Sequence, residues 1–263
     1  MKQVLKVTTS HHEKRESTHP EKIPFYSTND VIETMAILED CRESNLWGII
    51  AGAAGLGKTT TIKHYLEVKE QALFYTPRSN VTLKSFLKDL ADLFCMTLTS
   101  TNANDMTNEL IRFLTMNPKF IIIDEFGRIM RNGNMRIMET IRDIRDASDR
   151  NLGVVLSGHS DDFGELVRCG KGQIVSRFGP VYELQGPTKE EAAQIVEPLW
   201  MTPEAKKEMA HLITVFARKY GIRGIMEELY EKSVRLAGDS IITMDILKDA
   251  GRRTVYGFWS KRI

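Results

Sequence analysis

Gly52-Ala53-Ala54-Gly55-Leu56-Gly57-Lys58-Thr59 has the spacing G-x-x-x-x-G-K-[ST] of a phosphate-binding loop. The apolar run Leu46-Trp47-Gly48-Ile49-Ile50-Ala51 before it reads as a strand, and Thr59 to Lys69 after it reads as a helix. Glycines at 52, 55 and 57 let successive backbone N–H groups turn inward around an anion, and the following helix aims its positive N-terminal end at the same point. Lys58 is placed to reach the β- and γ-phosphates of a nucleotide, the Thr59 hydroxyl is placed to hold Mg²⁺, and Thr60 completes the candidate nucleotide contacts. The competing reading is a glycine-rich turn that binds nothing.

A second group of chemical residues follows Pro118. Lys119-Phe120-Ile121-Ile122-Ile123 is a continuous apolar run that ends in Asp124-Glu125, as expected of a buried strand delivering acids to a site. Asp124 can position Mg²⁺, and Glu125 can orient and polarise a water for in-line attack on a γ-phosphate. Together with the loop, these acids imply hydrolysis as well as nucleotide binding.

Strands and helices alternate around both groups. A helix is expected from Asp30 to Arg42, capped by Thr28 or Asn29, followed by the strand and loop already described. Ala72 to Thr76 reads as a second strand, and two helical stripes follow, one through Leu83, Phe86, Leu87, Leu90 and Phe94, the other through Met106, Leu110, Phe113 and Leu114. A helix from Met135 to Ala147, a fourth strand at Gly153 to Ser157 and a fifth at Val181 to Leu184 complete an α/β pattern with a parallel sheet in three layers. After Gly186-Pro187 only helices are expected, starting at a Thr188/Glu191 capping box, at Thr202-Pro203, at Ile222 and at Thr243. The expected organisation is a tail over 1–22, a P-loop core over 23–186, a helical lid over 187–251 and a basic, aromatic tail over 252–263.

Composition narrows the function classes. The 263 residues carry 36 Lys plus Arg against 35 Asp plus Glu, so no global basic field exists and any nucleic-acid contact must be local or summed over many copies. Cys41, Cys95 and Cys169 form no Cys-x-x-Cys pair and read as reduced thiols of a cytoplasmic protein. No apolar run is long enough for a membrane span. His11, His12 and His19 lack a matching metal framework and read as part of a solvated tail.

The order of these motifs resembles the AAA+ ATPases, and within them the DNA-transposition ATPases, the phage Mu B protein and TnsC-type regulators, with the related ExeA-type ATPases also similar. The pieces that carry the resemblance are residues 55 to 65 (Gly-Leu-Gly-Lys-Thr-Thr-Thr-Ile-Lys-His-Tyr), 154 to 159 (Val-Val-Leu-Ser-Gly-His), 176 to 178 (Ser-Arg-Phe) and 220 to 225 (Tyr-Gly-Ile-Arg-Gly-Ile). The resemblance implies ATP and Mg²⁺ as ligands, and catalytic roles for Lys58, Glu125 and Arg177. Arg177 matches the arginine finger, which acts on ATP bound to the neighbouring subunit. Arg223 matches the lid arginine that senses the γ-phosphate. The polar sensor falls on His159, where the family often carries Asn, with Ser157 the other candidate.

The resemblance also implies a homo-oligomer, ring or helical filament, around double-stranded DNA, with a transposase and a target-selection protein as partners. Arg78, Thr82 and Lys84, after the second strand, are the candidate DNA contacts, and Arg128, Arg131 and Arg136 flank the loop 131–134. The phage Mu B protein carries an N-terminal helix-turn-helix domain where this chain has a short tail, so recruitment by other factors is expected. Two alternatives stay open: an ExeA-type ATPase of secretion or envelope assembly, and a small-molecule P-loop kinase, which Asp124-Glu125 and Arg223 disfavour.

Overall fold

Strands as apolar as these need cover on both faces. The computed structural model, which describes residues 25–69, 71–133, 135–169 and 172–259, supplies it. Strands β1 (Trp47–Ala51), β2 (Ala72–Tyr75), β3 (Lys119–Asp124), β4 (Leu152–Gly158) and β5 (Phe178–Glu183) form one parallel sheet in the order β2-β3-β4-β1-β5.

Side chains alternate between two cores. On one face, Ile50, Phe120, Ile122 and Val155 pack against Leu38 and Cys41 of α1 (Asn29–Glu43) and Ile62 and Tyr65 of α2 (Lys58–Val68). On the other, Ile49, Ile121, Ile123, Val154 and Leu156 meet α3 (Leu83–Leu93), α4 (Ala103–Met116) and α5 (Arg136–Ala147). The result is the three-layer α/β arrangement expected from the strand and helix pattern.

β5 begins three residues before the expected Val181, because Pro180 does not end it. β5 lies at the sheet edge, where a missing N–H is tolerated, and its pairing with β1 is irregular between Trp47 and Ile49.

A 3-10 helix (Phe126–Gly133) follows β3, and α6 (Ser160–Cys169) and α7 (Gly172–Val175) separate β4 from β5. The C-terminal region is helical: α8 (Lys189–Val196), α9 (Pro203–Ile225), a π turn (Met226–Tyr230), α10 (Glu231–Ala237) and α11 (Met244–Arg252). Thr188 and Glu191 form the expected capping box, and Thr202 and Thr243 cap α9 and α11. The helices expected at Pro203 and Ile222 are not separated by a loop; a kink at Gly221 (φ 73, ψ 154) divides them. Tyr256 stacks on Tyr220 at 4.1 Å and Phe258 meets Phe216 at 5.5 Å, so this aromatic segment packs beside the kink. The expected tail over 1–22 with its histidines, Asn134 of the basic loop and residues 260–263 lie outside the described residues.

Candidate active site

β1 ends at Ala51, and Gly52 starts the loop that leads into α2. Gly57 caps α2 at φ 104, a left-handed conformation that L side chains resist. This geometry opens the first N–H groups of α2 toward an anion. Lys58 does not point into open space: its Nζ donates to the carbonyls of Gly52 at 2.7 Å and Ala53 at 2.9 Å. Burial pushes its ammonium below the ordinary lysine range, opposed by Asp124, Glu125 and Asp162.

Thr59 and Asp124 meet directly. The Thr59 hydroxyl donates to Asp124 Oδ2 at 2.7 Å, and the Ser157 hydroxyl donates to Asp124 Oδ1 at 2.7 Å. The second bond follows from sheet register, since Asp124 and Ser157 are paired across β3 and β4. Asp124 and Ser157 are both buried, so the carboxylate is fixed from two sides. Hydroxyl and carboxylate oxygens are the hard donors Mg²⁺ prefers, with further positions left to water and phosphate, and Thr59 and Asp124 therefore fit such an ion. Among the described residues no cluster of three or more His, Cys, Asp or Glu exists that would hold a metal by protein groups alone.

Glu125 stands just beyond, exposed, with φ 54. A non-glycine residue in this region is uncommon and typical of functional turns. Arg128 stands beside its carboxylate, with Nη2 at 3.9 Å from Oε2. Arg128 also donates to Pro77 O at 3.0 Å, which joins the segment after β2 to that after β3.

Arg223 is brought to the loop from the helical region. Its backbone N–H donates to Gly55 O at 3.2 Å, while its side chain is exposed with Nε 3.8 Å from Glu227 Oε1. A cleft of about 440 Å³ opens here, lined among others by Tyr26, Gly55, Gly57, Thr60, Arg223 and Tyr230. Thr60 thus faces the cleft and Thr59 faces Asp124. His159 is exposed at the start of α6, where its Nδ1 accepts from the Asp161 N–H at 3.3 Å. With Ala53 and Arg218 it lines a smaller recess of about 280 Å³. Of the two sensor candidates, Ser157 touches Asp124 and His159 flanks the loop.

Two residues escaped the sequence reading. Asp30 is buried and accepts from Tyr182 Oη at 2.7 Å, Gln185 N at 2.9 Å and Gly186 N at 2.8 Å. Burial and the Asp30 carboxylate push the Tyr182 phenol well above its ordinary value. The same acid therefore ties a wall of the cleft to the segment that enters the helical region. Arg218 clamps that segment from the other side, with Nε donating to Gln185 O at 2.6 Å and Nη2 to Gln185 Oε1 at 2.5 Å. An acid in a helix's first turn ordinarily signals only favourable dipole placement, so no local pattern marks Asp30.

Arg177 is not with this group. Phe178, the next residue, pairs with Trp47 at the start of β1, whereas the loop follows Ala51 at its end. The separation is one strand length, about 16 Å at 3.3 Å per residue. Arg78, Thr82 and Lys84 are exposed after β2, and the Thr82 hydroxyl caps α3 by accepting from Ser85 N at 3.2 Å. The side chains of residues 131–134 are outside the described set. No helix among the described residues is long and apolar enough to cross a membrane.

Residues 41–166 match the family model of the AAA domain. Similar solved structures include Cdc6p from Pyrobaculum aerophilum, with 14% identity over 91% of this chain and 71% of that chain and a TM-score of 0.68. ORC1 from Aeropyrum pernix in complex with DNA has 15% identity, covers 89% and 67% of the two chains, and gives a TM-score of 0.63. ORC2 from the same organism, in its ADPNP-ADP complexes, has 16% identity, covers 92% and 72%, and gives 0.60. No curated protein matches the chain. The fold is that of an AAA+ P-loop NTPase with a helical C-terminal region, as the motif order implied.

Proposed function

We propose that this protein is an AAA+ ATPase that assembles on double-stranded DNA in an ATP-dependent manner and recruits or activates a transposase there. The observation that carries this reading is the division of the hydrolytic groups between the two ends of the sheet. Lys58, Thr59, Asp124 and Glu125 gather at the C-terminal ends of β1 and β3, and Arg177 stands at the opposite end, before β5. An arginine so placed cannot serve its own loop, but it can serve the loop of a second copy packed head to tail.

In this reading the loop N–H groups grip the phosphates of ATP, and Lys58 exchanges its carbonyl partners for phosphate oxygens. Thr59 and Asp124 would hold Mg²⁺, which would supply charge neutralisation on those phosphates. Glu125 orients the attacking water and takes its proton. Arg177 of the second copy neutralises charge that grows on the γ-phosphate. Arg223 reports occupancy to a lid over 187–251 that follows a core over 23–186, and His159 or Ser157 acts as polar sensor.

The similarity to ORC1, solved in complex with DNA, supports DNA as a partner. Arg78 and Lys84, with Thr82 between them, are the proposed contacts. A net charge of +1 gives one copy little hold on phosphates, so affinity comes from many linked copies and falls steeply with salt. The transposase, and a target-selection protein beside it, rest on the resemblance of residues 55–65, 154–159, 176–178 and 220–225.

The test is imaging and sedimentation with a non-hydrolysable ATP analogue and random-sequence duplex DNA. Rings or filaments on DNA are expected, dissociating on hydrolysis or in high salt. Discrete monomers free of DNA would sink the assembly reading. Neighbouring reading frames that encode no transposase would remove the transposition part and leave the ATPase part standing.

A further inference from the structure

Asp146, next to the last residue of α5, holds Arg177 side-on: it accepts from Nε at 3.2 Å and from Nη2 at 2.7 Å. A guanidinium has five N–H bonds, and this pairing uses one on Nε and one on Nη2. Both bonds of Nη1 and one of Nη2, on the outer edge, have no partner among the described residues. Arginine held this way can meet a second anion without releasing the first.

The pair is braced from behind. Arg145 is 6% exposed, its guanidinium lies 5.7 Å from the centroid of the Trp47 ring, and its Nη2 donates to Asn45 O at 3.3 Å. Its Nη1 stands 3.9 Å from Asp146 Oδ1, so Asp146 lies between a buried arginine and Arg177. The Trp47 ring is also 5.3 Å from Phe178, the residue that follows Arg177. Acid and arginine are therefore both anchored to one buried tryptophan at the start of β1. A free arginine loses much rotamer freedom when it engages a phosphate, and holding it beforehand reduces that loss.

We propose that Asp146 is a positioning residue for Arg177, fixing the guanidinium with its outer edge open to the nucleotide of the next copy. The proposal rests on the trans-acting assignment of Arg177 made above. Charge alone predicts the opposite sign of effect. Removing a carboxylate beside an incoming polyphosphate eases its approach, whereas loss of positioning slows turnover.

The experiment measures ATP hydrolysis by protein assembled on duplex DNA for the wild type, Asp146→Asn, Arg177→Ala and the double variant, and for Asp146→Asn mixed with Glu125→Gln. Asp146→Asn is expected to lower kcat about tenfold with KM for ATP within about twofold. The double variant should be no slower than Arg177→Ala, because Asp146 acts only through Arg177. Mixing with Glu125→Gln should restore turnover, which also shows that Asp146→Asn chains fold and keep a working loop. Asp146→Asn at or above wild-type kcat while Arg177→Ala is impaired overturns the proposal. So does a double variant slower than Arg177→Ala, or no recovery in the mixture. Arg177→Ala at wild-type turnover removes the assignment beneath the proposal, and the proposal with it.

Discussion

Glu125→Gln is expected to lower ATP turnover by about two to four orders of magnitude while leaving ATP affinity within about twofold. The amide keeps the shape of the side chain and cannot accept a proton from water. In the proposed mechanism nucleotide grip comes from other groups: the loop N–H donors, Lys58 and Thr59. Glu125 lies outside them, exposed and with Arg128 at 3.9 Å. Single-turnover hydrolysis and equilibrium ATP binding on the same preparation check this. Unchanged turnover would contradict the assigned role, and lost binding would make Glu125 a structural residue.

Gly221→Ala is expected to weaken ATP binding at least about tenfold and to lower thermal stability, because it strikes where the helical region docks on the phosphate loop. At φ 73 and ψ 154 the kink in α9 is open to glycine alone, and forcing another residue there costs about 1–3 kcal/mol. A Cβ would also overlap Ala54 O and stand 2.7 Å from Gly55 Cα, backbone atoms of the loop itself. Relief requires the helix to withdraw, and withdrawal breaks the Arg223 N to Gly55 O bond of 3.2 Å. Calorimetric titration with ATP and a thermal melt measure both effects. Wild-type values for both would show that the close approach is dispensable.

The loop and the acids were legible because their signals are local. Spacing fixes Gly52 to Thr59, and an apolar strand ending in Asp124-Glu125 announces its own orientation. The bond between Ser157 and Asp124 was not legible, because it depends on a register between strands 33 residues apart in the chain. Asp30 was hidden for a similar reason: its partners Tyr182, Gln185 and Gly186 lie more than 150 residues away. The motif Tyr220-Gly221-Ile222-Arg223 was visible, but its kink was not, since only the contact with Gly55 explains why a helix should bend there. The pairing of Arg177 with Asp146 likewise needs the folded sheet, which brings the end of α5 beside the start of β5.

The central claim is that one nucleotide site is completed by two copies, and mixing Arg177→Ala with Glu125→Gln tests it most directly. Each variant alone should hydrolyse ATP at a small fraction of the wild-type rate. In a randomly mixed head-to-tail assembly, roughly a quarter of the interfaces join an intact Glu125 to an intact Arg177, and activity should recover in proportion. Co-assembled mixtures that stay as inactive as the separate variants would contradict the claim and place Arg177 outside the shared site.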